Sequence, residues 1–199
     1  MTATPAAIDR NQILDVAASV FSERGYRATS LAAVAERLGV TRQALYHHFA
    51  QKDAILYALF DRTTALFEVR VLGIRGDSPG ATFMAMLQEH ALICAANIDL
   101  VRISTTEDQE LPAHLRQQVV QRRRDYHRAF VRAYQAGVAS GELRPAAEVG
   151  AVVNFLLAAC QAMVRWYKPS GREKPAAIAR LVADVAGEGI LPRPAGGAA

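Results

Sequence analysis

Cysteine is nearly missing from this chain: 199 residues hold two, Cys94 and Cys160, with no CxxC spacing. One pair cannot staple a fold of this size, so reduced thiols are expected and a disulfide framework is not. Aromatic residues are also scarce, at 7%, although hydrophobic residues reach 51%. Ala, Leu and Val must then carry the core, which favours helix. No stretch alternates convincingly with the period of a strand. No cationic, apolar signal opens the chain at MTATPAAIDR. The longest apolar stretch, Val149 to Val164, is broken by Asn154 and Gln161 and falls short of a membrane span. A cytoplasmic location is the expectation.

Catalytic signatures are missing as well. There is no HExxH, no Glu-x-x-His pair, no P-loop and no dinucleotide-binding glycine fingerprint. Neither cysteine has an obvious catalytic partner. His47 and His48 are adjacent, so on a helix they point about 100° apart and cannot chelate one metal. The expectation is no enzyme, no metal and no cofactor. Charged residues make up 21% with a net charge of +4, which excludes a disordered charged tail and permits a nucleic-acid partner without demanding one.

What is present is helical punctuation. Ile13, Leu14, Ala17, Val20 and Phe21 form one stripe, ended by Gly25. Leu31, Val34, Ala35 and Leu38 form a second, preceded by cap-type Thr29 and Ser30 and stopped by Gly39. A third short helix is predicted over Thr41–His48 and a longer fourth from Lys52. Pro79, Pro112, Pro145 and Pro175 each precede a helix-patterned segment, giving helices near 79–96, 112–139, 146–167 and 175–188. Residues 97–110 have room for one short helix more. The reading is all-α with about nine helices: one domain over 1–52, a second over 53–191, and a disordered tail over 192–199.

Two short helices joined through Gly39 and Val40 suit a helix-turn-helix, whose second helix enters the DNA major groove. At 100° per residue Arg42, Gln43, Tyr46 and His47 share one face of that helix, while Thr41, Ala44, Leu45 and His48 turn toward the domain body. The outer face offers a guanine-reading guanidinium, an adenine-reading amide and a phenol. Thr29 and Ser30 suit a phosphate oxygen, and Lys52 a second one. A merely solvated polar face is the alternative. Charge is modest here: Arg10, Arg24, Arg27, Arg37, Arg42 and Lys52 against Asp9, Asp15, Glu23 and Glu36. A dimer presenting two such domains would bind better than one.

The run FSERGYRATSLAAVAERLGVTRQALYHHFAQKDAIL, Phe21 to Leu56, resembles the N-terminal domain of the TetR family of bacterial transcription regulators. The matching features include Arg24-Gly25, Ala28-Thr29-Ser30, Leu38-Gly39-Val40, Leu45-Tyr46, His48-Phe49 and Lys52. The resemblance implies base reading by Arg42, Gln43 and Tyr46. It implies phosphate contacts from Thr29, Ser30, Thr41, Tyr46, His48 and Lys52, on a double-stranded operator.

Ala146 to Lys168 is apolar on nearly every side, apart from a seam of Asn154, Ala158, Gln161 and Arg165. Such a helix needs cover from several directions, and a second subunit is the natural cover for one of them. A homodimer interface is expected on Val149, Val153, Leu156 and Trp166, joined by Ile178, Leu181, Val182 and Val185 of the last helix. A small-molecule effector is expected among Phe83, Leu87, His90 and Cys94 of one helix and Arg122, Tyr126 and Phe130 of another, with Gln161. His90 reads either as a satisfied core histidine or as a ligand group. Arg122 reads either as a structural partner of Glu107, Asp108 or Glu110, or as an anion clamp.

The stretch AMVRWYKPSGREKPAAIARLV, with Arg165-Trp166-Tyr167, resembles the final helices of a TetR branch. That resemblance implies an acyl-CoA thioester as effector, in the control of fatty-acid, aromatic-acid or sterol catabolism. The competing readings are a multidrug-type regulator of lipophilic compounds, a constitutive architectural DNA binder, and a helical small-molecule-binding protein without a gene-regulatory role.

Overall fold

A computed structural model of the chain describes residues 8–191. The expected tail, 192–199, lies outside the described residues. Within them there are nine α-helices and no strand. They are α1 (Arg10–Arg24), α2 (Leu31–Leu38), α3 (Arg42–His48), α4 (Lys52–Val71), α5 (Pro79–Ala96), α6 (Ile98–Thr106), α7 (Ala113–Ala139), α8 (Val149–Gln161) and α9 (Pro175–Ile190).

The helix ends follow local chemistry. Asp9 caps α1 in a reciprocal box: its carboxylate accepts from the Gln12 N–H at 2.8 Å, and the Gln12 side chain accepts from the Asp9 N–H at 3.0 Å. Ser30, Thr41 and Ser78 cap α2, α3 and α5 through their hydroxyl oxygens. Gly39 closes α2 in the left-handed region at φ 68° and ψ 28°, and the Val40 N–H then returns to the Ala35 carbonyl at 3.0 Å. That closure reverses the chain between α2 and α3.

The chain divides into two compact units. The first takes in the chain up to Thr63 and a returning stretch, Asp99–Val119. The second comprises Thr64–Ile98 and the described residues from Val120 onward. The expected boundary at residue 52 and the continuous second domain differ from this division. Burial is the reason: Ile55, Leu56, Leu59 and Phe60 of α4 share one apolar core with Ile13, Phe21, Val34 and Leu45. Leu100, Ile103, Leu111 and Val119 of the returning stretch complete it.

In the second unit α8 and α9 both pack on α5. The 146–167 segment is helical only from Val149 and tightens into a 3-10 turn at Ala162–Arg165. The Arg144 N–H donates to the Ile190 carbonyl at 2.8 Å, and its guanidinium donates to the carbonyls of Leu191 and Glu188 at 2.7 and 2.8 Å. This cation satisfies the open end of α9, which runs past the expected residue 188 to Ile190.

The left-handed backbone at Gly39 is open space for a Cβ, so only its φ penalises a side chain there. Gly39→Ala should cost about 1 kcal/mol in urea unfolding of the full chain.

Candidate DNA-reading face and effector core

Helix α3 is only seven residues long, and its orientation is imposed by two anchors. Leu45 is fully buried, and Phe49, just past the helix end, is 2% exposed. With Thr41 accepting from the Ala44 N–H at 3.2 Å, this leaves Arg42, Gln43, Tyr46 and His47 exposed on the outer face. Four of the expected base and phosphate contacts therefore share one accessible surface. Thr41 is exposed beside them and His48 is half-buried. Arg10 lies 4.2 Å over the Phe49 ring and donates to the His48 carbonyl at 3.5 Å. Sequence reasoning missed Arg10, because its partner is 38 residues away and no periodicity links them.

The expected phosphate contacts before α2 separate. Ser30 is exposed at the helix start and caps it. Thr29 is buried, and its hydroxyl donates to the Gly25 carbonyl at 2.9 Å, so its side chain is not presented to solvent. Lys52 also turns inward. Its ammonium donates to the carbonyls of Tyr26 and Thr29, both at 2.9 Å, and sits 4.1 Å from the centre of the Tyr26 ring. The Tyr26 hydroxyl donates to Asp53, and burial together with that carboxylate raises the phenol's pKa. From the returning stretch, Glu110 pairs with Arg27 at 2.7 Å and Glu107 accepts from the Tyr26 N–H at 3.5 Å. The Arg27 guanidinium holds the Glu110 carboxyl below its usual range.

In the second unit Phe83, Leu87, His90, Cys94, Tyr126 and Phe130 are all brought into the core. His90 is its polar centre. The ring Nδ1 lies 2.9 Å from the Tyr126 hydroxyl and Nε2 lies 3.7 Å from the Cys94 sulfur. Phe67 of α4 stacks on the imidazole at 4.7 Å and was not anticipated, since it lies outside both expected stripes. Phe130 meets Phe83, His90 and Tyr126 at centroid distances of 6.0, 6.0 and 5.2 Å. Burial pushes the His90 pKa down to about 3, against a smaller opposing effect of the Leu157 carbonyl. Burial likewise raises Cys94 well above the usual thiol range and Cys160 to about 12. Both thiols are protonated at neutral pH and cannot serve as nucleophiles. Gln161 is half-buried at the end of α8.

Arg122 pairs with a carboxylate that was not among the three weighed from the sequence. It makes a two-point fork with Glu68 of α4, Nε to Oε1 at 3.0 Å and Nη2 to Oε2 at 2.6 Å. Glu68 lies 54 positions from Arg122, so no local pattern links the two.

The residues expected at a subunit interface divide by burial. Val153, Leu156 and Ile178 are buried within the unit's own core, and Val149 and Val182 are half-buried. Trp166, Leu181 and Val185 remain exposed, at 58%, 54% and 62%. Phe155 is 73% exposed and was missed: on a helix apolar all round, periodicity cannot say which side the subunit itself covers. Among the described residues no group of three or more His, Cys, Asp and Glu converges, and no helix is long and apolar enough to cross a membrane.

The buried imidazole has a consequence for acid stability. His90 takes up a proton below about 6.5 when unfolded but only near 3 when folded. Its native state is therefore fully favoured above about 6.5 and loses ground as pH falls toward 3. By pH 5 the loss is about 2 kcal/mol. Urea unfolding at pH 7 and pH 5 should show that His90→Gln loses less stability over this interval than the wild type.

Similarity to known proteins covers both units. The family described as bacterial regulatory proteins, tetR family, matches residues 13–59, and the tetracyclin repressor-like C-terminal domain family matches residues 76–190. The HTH-type transcriptional repressor KstR2 of Mycolicibacterium smegmatis is 28% identical over 180 residues, covering 85% of this chain and 84% of that protein. Its counterpart in Rhodococcus jostii is 28% identical over 186 residues, covering 91% and 90%. Among solved structures, the ketosteroid transcriptional regulator KstR2 of Mycobacterium tuberculosis superposes with a TM-score of 0.80 at 25% identity, covering 97% of this chain and 98% of that one. AibR in complex with isovaleryl coenzyme A and operator DNA gives a TM-score of 0.76 at 26% identity, covering 89% and 96%. With more than half of its length matched by the C-terminal family and α1 to α3 inside or overlapping the N-terminal match, this all-α chain belongs to the TetR family of bacterial transcription regulators.

Proposed function

We propose that this chain is a ligand-responsive transcriptional repressor. It binds a palindromic operator as a homodimer and leaves it when an acyl-CoA thioester occupies the second unit. The observation that carries the DNA half is the outer face of α3. Arg42, Gln43, Tyr46 and His47 are exposed together there, on a helix fixed from behind by Leu45. A guanidinium, an amide and a phenol on one short helix suit base edges in a major groove, and Ser30 and Thr41 flank them for phosphates.

The effector half rests on likeness and on the core around His90. AibR was solved with a coenzyme A thioester and operator DNA together, and the KstR2 relatives are named as repressors. Within the second unit, a neutral imidazole and a phenol sit among Phe67, Phe83 and Phe130. That pairing of apolar surface with a few fixed polar groups suits an acyl chain and its thioester carbonyl. With its fork held by Glu68, Arg122 serves orientation within this unit. The homodimer reading rests on Phe155, Leu181, Val185 and Trp166, whose exposed apolar surface a second copy of the chain would bury. The chain acts by binding and not by catalysis, in the cytoplasm where the operator is.

A duplex enriched from a random 30-base-pair pool by the wild-type protein provides the DNA probe. Tyr46→Ala should weaken binding to that duplex roughly tenfold, the worth of one good base contact, and leave thermal stability and ligand response unchanged. Loss of ligand response along with DNA binding would contradict separate sites for the two.

The effector is tested by melting temperature against acyl-CoA thioesters, their free acids, coenzyme A and lipophilic cations. A ligand at a hundred times its Kd stabilises by about 2.7 kcal/mol. For a chain of this size that raises Tm by roughly 5–10 °C. Shifts are expected with the thioesters alone. Shifts with the cations alone would instead identify a multidrug-type regulator.

A further inference from the structure

We propose that Arg10 is a further contact to the DNA backbone. Its guanidinium takes a phosphate at the C-terminal end of α3, opposite the end that Ser30 and Thr41 flank. The inference rests on the DNA-binding reading above and adds a residue outside the set implied by the family resemblance.

Arg10 is the first residue of α1 and is exposed. A helix start is an unfavourable place for a cation, because its open N–H groups carry partial positive charge. The side chain reaches instead to the end of α3. There its Nη1 donates to the His48 carbonyl at 3.5 Å, and the guanidinium carbon lies 4.2 Å from the centre of the Phe49 ring. Phe49 is sunk in the core of the unit, so the platform under the cation is fixed. A guanidinium has five N–H donors. One of them goes to His48, and the rest include a fork able to hold a phosphate at two points.

Competition for that fork is small. Arg27, Arg37 and Arg62 of the same unit are each held by a carboxylate, at 2.7, 2.8 and 2.6 Å. Arg10 forms no such pair among the described residues. Its neighbour Asp9 is turned onto α1, where the carboxylate accepts from the Gln12 N–H at 2.8 Å.

A phosphate at this end of α3 requires a cation. The last carbonyls of a helix are open and carry partial negative charge, which repels an anion. Arg10 covers one of them, at His48, and adds a full positive charge. The seven residues of α3 span about 10 Å, and the major groove is about 12 Å wide. A helix this short set across the groove has a phosphate backbone near each end. Ser30 and Thr41 serve one backbone and Arg10 the other.

Salt dependence tests the contact. Each phosphate contact contributes about 0.9 to the slope of log K against log salt, and a homodimer carries Arg10 twice. Arg10→Met keeps an apolar stem over Phe49 and removes the charge. With the enriched duplex its slope should be shallower than that of the wild type by about 1.8, and binding weaker by roughly tenfold. Arg10→Lys should retain the wild-type slope. If Arg10→Met melts as the wild type does and keeps the wild-type slope, the inference is overturned.

A second measurement needs no substitution. Phenylglyoxal modifies exposed guanidinium groups, and peptide mass spectrometry gives a rate for each. The enriched duplex at ten times its Kd should slow modification of Arg10 roughly tenfold and leave that of the exposed Arg124 unchanged. Equal rates for Arg10 with and without the duplex would overturn the inference and leave the DNA-binding reading in place. A wild type that enriches no duplex at all would remove both.

Discussion

A seven-residue helix has almost no stability of its own in water, because the nucleation cost is not recovered over so few hydrogen bonds. The outer face of α3 exists because Leu45 and Phe49 are sunk in the apolar core of the first unit. Burial of each such side chain is worth about 1.5–3 kcal/mol, which exceeds what helix propensity can offer here. The Thr41 cap and the left-handed closure at Gly39 set only the angle of entry. The core that receives Leu45 is completed by Leu100, Ile103, Leu111 and Val119 from the returning stretch. Arg42, Gln43 and Tyr46 are therefore presented by residues from far along the chain.

Around that core, charge works on the short loops. Arg27, Arg37 and Arg62 each pair with a carboxylate, Glu110, Glu23 and Asp15 respectively. Exposed pairs of this kind contribute little individually. Their effect is on which cations remain for a polyanion. Of the basic residues on and next to α3, Arg42 is exposed on the outer face while the Lys52 ammonium donates to the backbone carbonyls of Tyr26 and Thr29. The net charge of +4 thus overstates the positive surface available to DNA near α2 and α3.

The second unit uses its apolar content in two ways. One part closes on itself around His90, where burial keeps the imidazole neutral and both thiols protonated. Another part, Phe155, Leu181 and Val185, is left open on α8 and α9. Gly80 and Gly137 let α5 and α7 approach closely, since a Cβ at Gly137 would lie 3.3 Å from the Gly80 Cα and 2.6 Å from the Leu143 Cδ1. An effector acting here must interact differently with two arrangements of such tight packing, because packed cores respond by switching rather than by stretching.

Much of this was legible along the chain. Apolar spacing gave the helices, Pro79 and Pro175 their starts, and Gly39 the turn, because these are local properties of three to four residues. The angles on α3 separated Leu45 from Arg42, Gln43 and Tyr46, since helical geometry alone fixes which residues share a face. Position along the chain could not reveal Glu68 beside Arg122, Arg144 at the end of α9, or the return of Asp99–Val119 to the first unit. Nor could it show that Thr29 and Lys52 turn inward, or that Phe155 rather than Val153 is left uncovered. The sequence by itself determined the elements, which residues of α3 share its outer face, and the family. The tertiary structure decided which charge meets which and which apolar face stays open, because burial depends on neighbours brought from distant parts of the chain.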